Sequence, residues 1–308
     1  MILHTGMRTD IPAFYTPWFL NRLREGFVLV RNPFDPSAVT RYRLEPSVVD
    51  LLCFCTKNPA PMLPHLAALE PFGQYWFVTI TPYGRDIEPN VPPKEQVLES
   101  FLRLSEKLGP HRVAWRYDPI LLDETYTLQR HLDDFTRMAE TLKGATDACI
   151  ISFVDLYEKV KRNFPTLKPV GPEERLLLAG RMAEIAGSCG MQLRPCGEGS
   201  ELAAVGADTS GCMTIPIFEK ALGERLRVPR YQPQRKECAC YLGSDIGAYH
   251  SCIHLCRYCY ANDDAVLARY NHRRHDPSSP FLIGGPMPGD RIRDAKQESW
   301  IDRQLSFL

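Results

Sequence analysis

The chain has no apolar run approaching the length of a membrane span, which excludes a transmembrane bundle. Met1 to Asp10 lacks the basic segment, apolar core and small-residue cleavage site of a secretory signal, so a cytoplasmic protein with no membrane partner is expected. Net charge is also missing: 37 Lys+Arg face 37 Asp+Glu, leaving no global field to draw nucleic acid or an acidic lipid surface, although a local basic groove is compatible with that balance. There is no internal repeat and no low-complexity tract. No nucleophile elbow or Ser-His-Asp pattern supports a metal-free barrel hydrolase. Cysteine, by contrast, is plentiful, with eleven residues, three of them before Lys159 and eight between Cys189 and Cys259. In a reducing compartment such a late, odd-numbered set argues for metal or redox chemistry over disulfides.

At 308 residues, 44% hydrophobic and 24% charged, the chain can bury a full core without staples. Short apolar runs at Val49 to Cys55, Tyr75 to Ile80, Val113 to Tyr117, Cys149 to Val154 and Met191 to Leu193 alternate with helical stretches near Pro64 to Leu69, Lys94 to Leu108, Leu128 to Leu142 and Glu173 to Gly187. An N-terminal strand is followed by a helix from Pro12 to Glu25, and Phe27 to Val30 with Val39 to Leu44 reads as a side hairpin. Continuous apolar strands alternating with helices imply an α/β fold whose parallel sheet is covered by helices. About six βα units are counted, so a partial TIM-like (βα)6 barrel over residues 1–195 is expected, with a doubly wound open sheet as the alternative. Residues 196–308 read as an irregular cysteine-rich extension packing on the barrel mouth. It includes a helix from Ile215 to Leu226 and a basic stretch from Arg225 to Lys236, which could be a solvated linker or a nucleic-acid contact.

Six successive strands end in polar side chains: Arg8-Thr9-Asp10, Thr56-Lys57-Asn58-Pro59, Thr79-Ile80-Thr81-Pro82, Arg116-Tyr117-Asp118-Pro119, Ser152-Phe153-Val154-Asp155 and Cys196-Gly197-Glu198. In parallel α/β architectures these ends form the active-site rim. Arg116 could fork onto a substrate carboxylate or simply pair with Asp118. Lys57 could meet an anionic substrate or balance charge, and Glu198 lies next to Cys196 on the same rim. Each of these polar ends is equally compatible with an ordinary turn after a strand.

The most specific stretch is Cys252-Ile253-His254-Leu255-Cys256-Arg257-Tyr258-Cys259-Tyr260, a C-x3-C-x2-C array. Three thiolates so spaced can hold three irons of a 4Fe-4S cube and leave the fourth iron open to a small molecule. Structural zinc would need a fourth ligand, for which His254, Cys238 or Cys240 could serve. This array, with an aromatic before its last cysteine, resembles the radical S-adenosylmethionine enzymes, and Cys259-Tyr260-Ala261-Asn262 is similar to the run found in their spore photoproduct lyase-like branch. The resemblance implies a 4Fe-4S cluster on Cys252, Cys256 and Cys259, S-adenosylmethionine near Tyr258 and Asn262, and a 5'-deoxyadenosyl radical that abstracts hydrogen from an unidentified substrate, small molecule or nucleic acid. If S-adenosylmethionine is the cofactor, as this resemblance implies, Glu198 could accept from its ribose hydroxyls. The resemblance also implies a low-potential electron donor such as flavodoxin or ferredoxin. Over the whole chain, Arg8 to Tyr15, Thr56 to Pro59, Trp115 to Ile120, Ser152 to Asp155 and Asp245 to Tyr249 resemble the bacterial family called domain of unknown function 1848. Two departures stand out. The cysteine loop comes last where radical enzymes have it first, which suggests circular permutation, and no Gly-Gly-Glu run is present to hold the methionyl amine.

Cys196, Cys212, Cys238 and Cys240 are candidates for a second iron-sulfur cluster or zinc site, or are buried thiols. Cys238-Ala239-Cys240 is a short loop for two tetrahedral zinc ligands, although such pairs occur around iron-sulfur clusters. Cys53, Cys55 and Cys149 fall in expected core strands, where packing accounts for them. The competing function is a non-catalytic iron-sulfur or zinc binding protein serving electron transfer or nucleic-acid binding.

Overall fold

A computed structural model describes residues 1–230, 238, 240–262 and 264–303. Among the described residues there are ten strands: β1 (Ile2–His4), β2 (Phe27–Arg31), β3 (Ala38–Arg43), β4 (Leu51–Thr56), β5 (Gly73–Thr79), β6 (Val113–Ile120), β7 (Ala148–Phe153), β8 (Gln192–Pro195), β9 (Ser244–Asp245) and β10 (Arg291–Asp294). The helices are α1 (Ile11–Phe14), α2 (Thr16–Glu25), α3 (Lys94–Leu108), α4 (Leu128–Thr141), α5 (Glu158–Asn163), α6 (Pro172–Ser188), α7 (Ile215–Leu222) and α8 (Ala265–Arg273).

The strand pattern produces a seven-stranded parallel sheet in the order β8-β7-β6-β5-β4-β1-β9. From β1 to β8 each strand lies beside the next one of the series, with no reversal. After β8 the chain returns to the far side of β1, where β9 completes a parallel sheet flanked by helices, the α/β layering that both expected topologies share. The seventh strand, β9, was not anticipated: it is two residues long, too short for any periodicity to announce it. The expected side hairpin is present as antiparallel β2 and β3, and β10 joins β3 to complete a three-stranded sheet. The tail beyond Asn271, expected to be wholly irregular, supplies that strand.

Period-2 alternation sorts the strand side chains onto two faces. Leu52, Phe54, Trp76, Val78, Trp115, Cys149 and Ile151 point into the larger core, against α2, α3, α4 and α6. Phe54 stacks on Trp76 at 4.0 Å and Trp115 on Phe135 at 4.7 Å, with favourable aromatic geometry. The opposite face presents Ile2, Leu51, Cys53, Tyr75, Phe77, Ala114 and Ile150, covered by Cys212, Met213, Phe218, Ala221 and Cys240. Thus the chain after β8 folds back over the second face of the sheet.

Local chemistry sets the helix limits. Val97, Phe101 and Leu104 make the buried stripe of α3, and Thr127 caps α4 by accepting from the Arg130 N–H at 3.2 Å. The expected helix over Pro12–Glu25 is divided at Tyr15, where Pro17 can start a new helix but cannot continue the old one. The helix expected to reach Leu226 stops at Leu222, because Gly223 takes a left-handed φ of 75° and closes it. Of the basic stretch, Tyr231 and Pro233 lie outside the described residues.

Candidate metal centre at the strand ends

The strand endings converge under the cysteine loop. β9 pairs with β1 through Leu3 and His4, and Arg8 fastens the junction, donating to Asp245 Oδ2 at 2.6 Å and to its carbonyl at 2.7 Å. Gly6 must pass close to β4: a Cβ there would lie 2.3 Å from the Cys55 carbonyl oxygen, so only glycine fits. The chain leaving β9 then turns back over the C-terminal ends of β1, β4 and β5.

Asp10 is the first anchor. It caps α1 through the Ala13 N–H, accepts from Thr56 Oγ1 at 2.7 Å and from the Lys57 N–H at 2.7 Å, and meets His254 Nε2 at 2.9 Å. His254, expected as a possible zinc ligand, instead ties the loop to this carboxylate. Tyr15 Oη donates to the Ser251 carbonyl at 2.6 Å, and Asn90 Nδ2 donates to the Ile253 carbonyl at 2.7 Å. Leu255 adopts a φ of 57° between two of the thiols, a strain of about 1–3 kcal/mol sustained by these surrounding bonds.

The second anchor is Glu88, 1% exposed as a side chain. It pairs with Lys57 at 2.8 Å, accepts from Thr81 Oγ1 at 2.7 Å, and is also bound by Lys94 and by the Tyr258 hydroxyl. Burial alone would raise its carboxyl, but the two ammonium groups outweigh it and draw the pKa down to about 2. Burial likewise works against Lys57, yet Glu88 prevails and holds its pKa up. Lys94 goes the other way, because desolvation and the neighbouring Lys57 together outweigh its share of the one carboxylate. Lys57 also lies 5.5 Å from the centre of the Tyr258 ring.

Cys252, Cys256 and Cys259 are mutual neighbours on this loop, and burial raises the pKa of all three thiols. For Cys256 and Cys259 the Lys57 ammonium partly offsets that rise. Asn262 Nδ2 donates to the Cys252 carbonyl at 2.6 Å while its Oδ1 is buried without a partner, as is Thr9 Oγ1. Buried polar atoms without a partner are uncommon in folded proteins. Among the described residues, no three His, Cys, Asp or Glu side chains are drawn around one point as a ready cage for a single ion. A cube does not need that arrangement, since each thiolate binds its own iron.

Arg116 and Asp118 form an ion pair, and Asp118 also accepts from Ser152 Oγ. Burial opposes the Arg116 charge, but Asp118 outweighs it. Glu198, expected near a ribose, is engaged instead: it accepts from the Phe153 N–H at 2.7 Å and pairs with Arg175 at 3.0 Å, which makes it a brace for the β7 ending. Its carboxyl is raised, chiefly by burial. Lys57, Tyr258 and Asn262 therefore lie with the cysteine loop, Arg116 and Asp118 farther along the rim, and Glu198 within the fold's own support. Sequence reasoning placed Asp10 and Thr81 among the polar strand endings without giving either a partner, and it missed Lys94, because a lysine on a helix carries no distinguishing spacing.

The other late cysteines form a separate group. Cys212 Sγ lies 3.3 Å from Cys240 Sγ, and the Met213 N–H donates to Cys240 Sγ at 3.3 Å. The hydrogen bond from Cys212, with backbone donors and against burial, draws the Cys240 thiol down to about 6. Cys196 contacts Cys212 on one side, and Arg116 Nη2 donates to its sulfur at 3.8 Å. Cys238 stands against Cys240. Cys238 and Cys240 thus join this group and not the loop.

The sequence profile of the family described as Domain of unknown function (DUF1848) matches residues 2–261, a span that contains all eleven cysteines. No curated protein and no solved structure matches the chain.

Proposed function

The chain belongs to the Domain of unknown function (DUF1848) family, a membership that names no reaction, and from the site itself we propose a radical S-adenosylmethionine-type iron-sulfur enzyme. The observation that carries this reading is the position of β9: it restores the cysteine loop to the edge strand beside β1, so in spatial order the loop follows the first strand of the series. The sheet then reads as a partial (βα)6-type barrel, circularly permuted, with its cluster loop where the spore photoproduct lyase-like branch carries it.

The residues fit the group. Cys252, Cys256 and Cys259 would hold three irons, and the fourth would remain open, since His254 is committed to Asp10 and the other late cysteines to one another. When bound, the cluster and S-adenosylmethionine supply a 5'-deoxyadenosyl radical on one-electron reduction. The protein's part is holding and shielding. Asp10 and Glu88 fix the loop from both sides, and Lys57 offsets the negative charge that three thiolates bring. Asn262 Oδ1 and Thr9 Oγ1 are acceptors available to the cofactor's amine. Arg116 and Asp118 face the substrate side of the rim, where a carboxylate or phosphate would compete for the guanidinium. A flavodoxin- or ferredoxin-type donor is the implied partner.

Anaerobic reconstitution with iron and sulfide tests the proposal. Bound iron in the wild type that is lost in C252S, C256S and C259S supports it; equal iron in all four proteins overturns it.

A further inference from the structure

We propose that Cys196, Cys212, Cys238 and Cys240 form a second, closed four-thiolate metal centre on the inner face of the sheet, independent of the cysteine loop. The four come from three separate segments: just after β8, just before α7, and shortly before β9. Cys212 contacts Cys240 at 3.3 Å, Cys196 lies beside Cys212, and Cys238 lies beside Cys240, with Cys196 in electrostatic reach of both Cys238 and Cys240. Simple burial of cysteine as a small apolar residue does not require four thiols from distant segments to meet.

As protonated thiols, Cys212 and Cys240 are in hydrogen-bonding contact at 3.3 Å, with Cys196 beside Cys212 and Cys238 beside Cys240, and this arrangement is not yet a cage. Metal binding removes the protons, and with them the reason for the thiols to donate to one another. The surroundings suit the product. The Met213 N–H already donates to Cys240 Sγ, and Arg116 reaches Cys196 Sγ at 3.8 Å, so backbone dipole and cation both meet the negative charge that a four-thiolate centre carries.

Soft thiolate sets of this kind select zinc or an iron-sulfur cluster, and both share the closed chemistry proposed here: no open coordination position and no substrate. The consequence is structural. The centre would tie Cys238 and Cys240, a few residues upstream of β9, to Cys196 and Cys212, and so fix the strand that delivers the cysteine loop to the rim.

The test uses full-length protein carrying C252A, C256A and C259A together, which removes the loop as a source of metal. The protein is purified anaerobically and assayed for zinc, iron and acid-labile sulfide. About one zinc per chain, or iron with matching sulfide, supports the centre, and the sulfide assay says which of the two it is. Adding C212S should lower bound metal at least about tenfold, whereas adding C189S should leave it unchanged. Should C212S fail to fold, titration of the loop-free protein with a mercurial supplies the second reading: metal released in step with four thiols supports the site. Substoichiometric metal with freely alkylated late cysteines overturns it, as does a Cys212–Cys240 disulfide in metal-free protein. Failure of the loop to bind iron leaves these outcomes untouched, so the two readings fall separately.

Discussion

Replacing Glu88 by Gln tests whether the loop is held by charge or only by shape. The carboxylate is 1% exposed and shared by Lys57 and Lys94, so E88Q leaves two buried ammonium groups facing a neutral amide. Breaking a buried pair from one side costs about 3–5 kcal/mol. An independent route gives a similar figure: a carboxyl drawn from an ordinary 4.5 to about 2 on folding is stabilised by about 3 kcal/mol. Because the folded pKa is depressed, that contribution is complete above pH 4.5 and is lost as pH falls through 2. At pH 3 the linkage relation leaves about 1 kcal/mol of it, so about 2 kcal/mol should vanish between pH 7 and pH 3. Urea unfolding followed by tryptophan fluorescence, on wild type and E88Q at both pH values, reads the difference directly. The gap between the two proteins should be about 3–5 kcal/mol at pH 7 and should narrow by about 2 kcal/mol at pH 3. A gap below about 1 kcal/mol, or one that does not change with pH, would refute the argument that the ion pairs hold the site together.

Other perturbations separate the remaining parts. Asp10→Asn should weaken the bond to His254 while leaving the cap of α1 largely served, so reconstituted iron should fall more than the melting temperature does; the two are compared on one preparation. Gly6→Ala would drive a methyl group to 2.3 Å from the Cys55 carbonyl and should cost about 1–3 kcal/mol in the same urea assay, since backbone and not a flexible side chain must yield. Lys57→Met should leave Glu88 paired to Lys94 and so keep the fold, while raising the salt and pH sensitivity of iron binding at Cys256 and Cys259; unchanged binding would remove Lys57 from the site.

Much of the sheet was legible in the sequence because buried parallel strands leave continuous apolar runs. Tyr75 to Ile80 and Val113 to Tyr117 each fall within two or three residues of an observed strand boundary. The polar strand endings were equally readable, and Asp10, Lys57 and the Arg116–Asp118 pair do face the rim. What was hidden was connection over long separations. Ser244–Asp245 is too short to show a period, and only its pairing with Leu3 and His4, about 240 residues away in sequence, makes it a strand. The partner of Glu198 was hidden for the same reason: Arg175 lies on α6, and nothing local announces the ion pair between them. The thiol group was visible as four late cysteines, but its separation from the loop depended on long-range contacts such as that between Cys212 and Cys240, which no local spacing announces.

The central claim is an open iron beside Cys252, Cys256 and Cys259, and the most direct measurement is electron paramagnetic resonance of the anaerobically reconstituted, reduced protein before and after adding S-adenosylmethionine. The account expects the cluster signal to change on addition and 5'-deoxyadenosine to be released under reductant, both absent in C256S. An unaltered signal with no 5'-deoxyadenosine in protein of full iron content would contradict it and leave a metal-binding protein without radical chemistry.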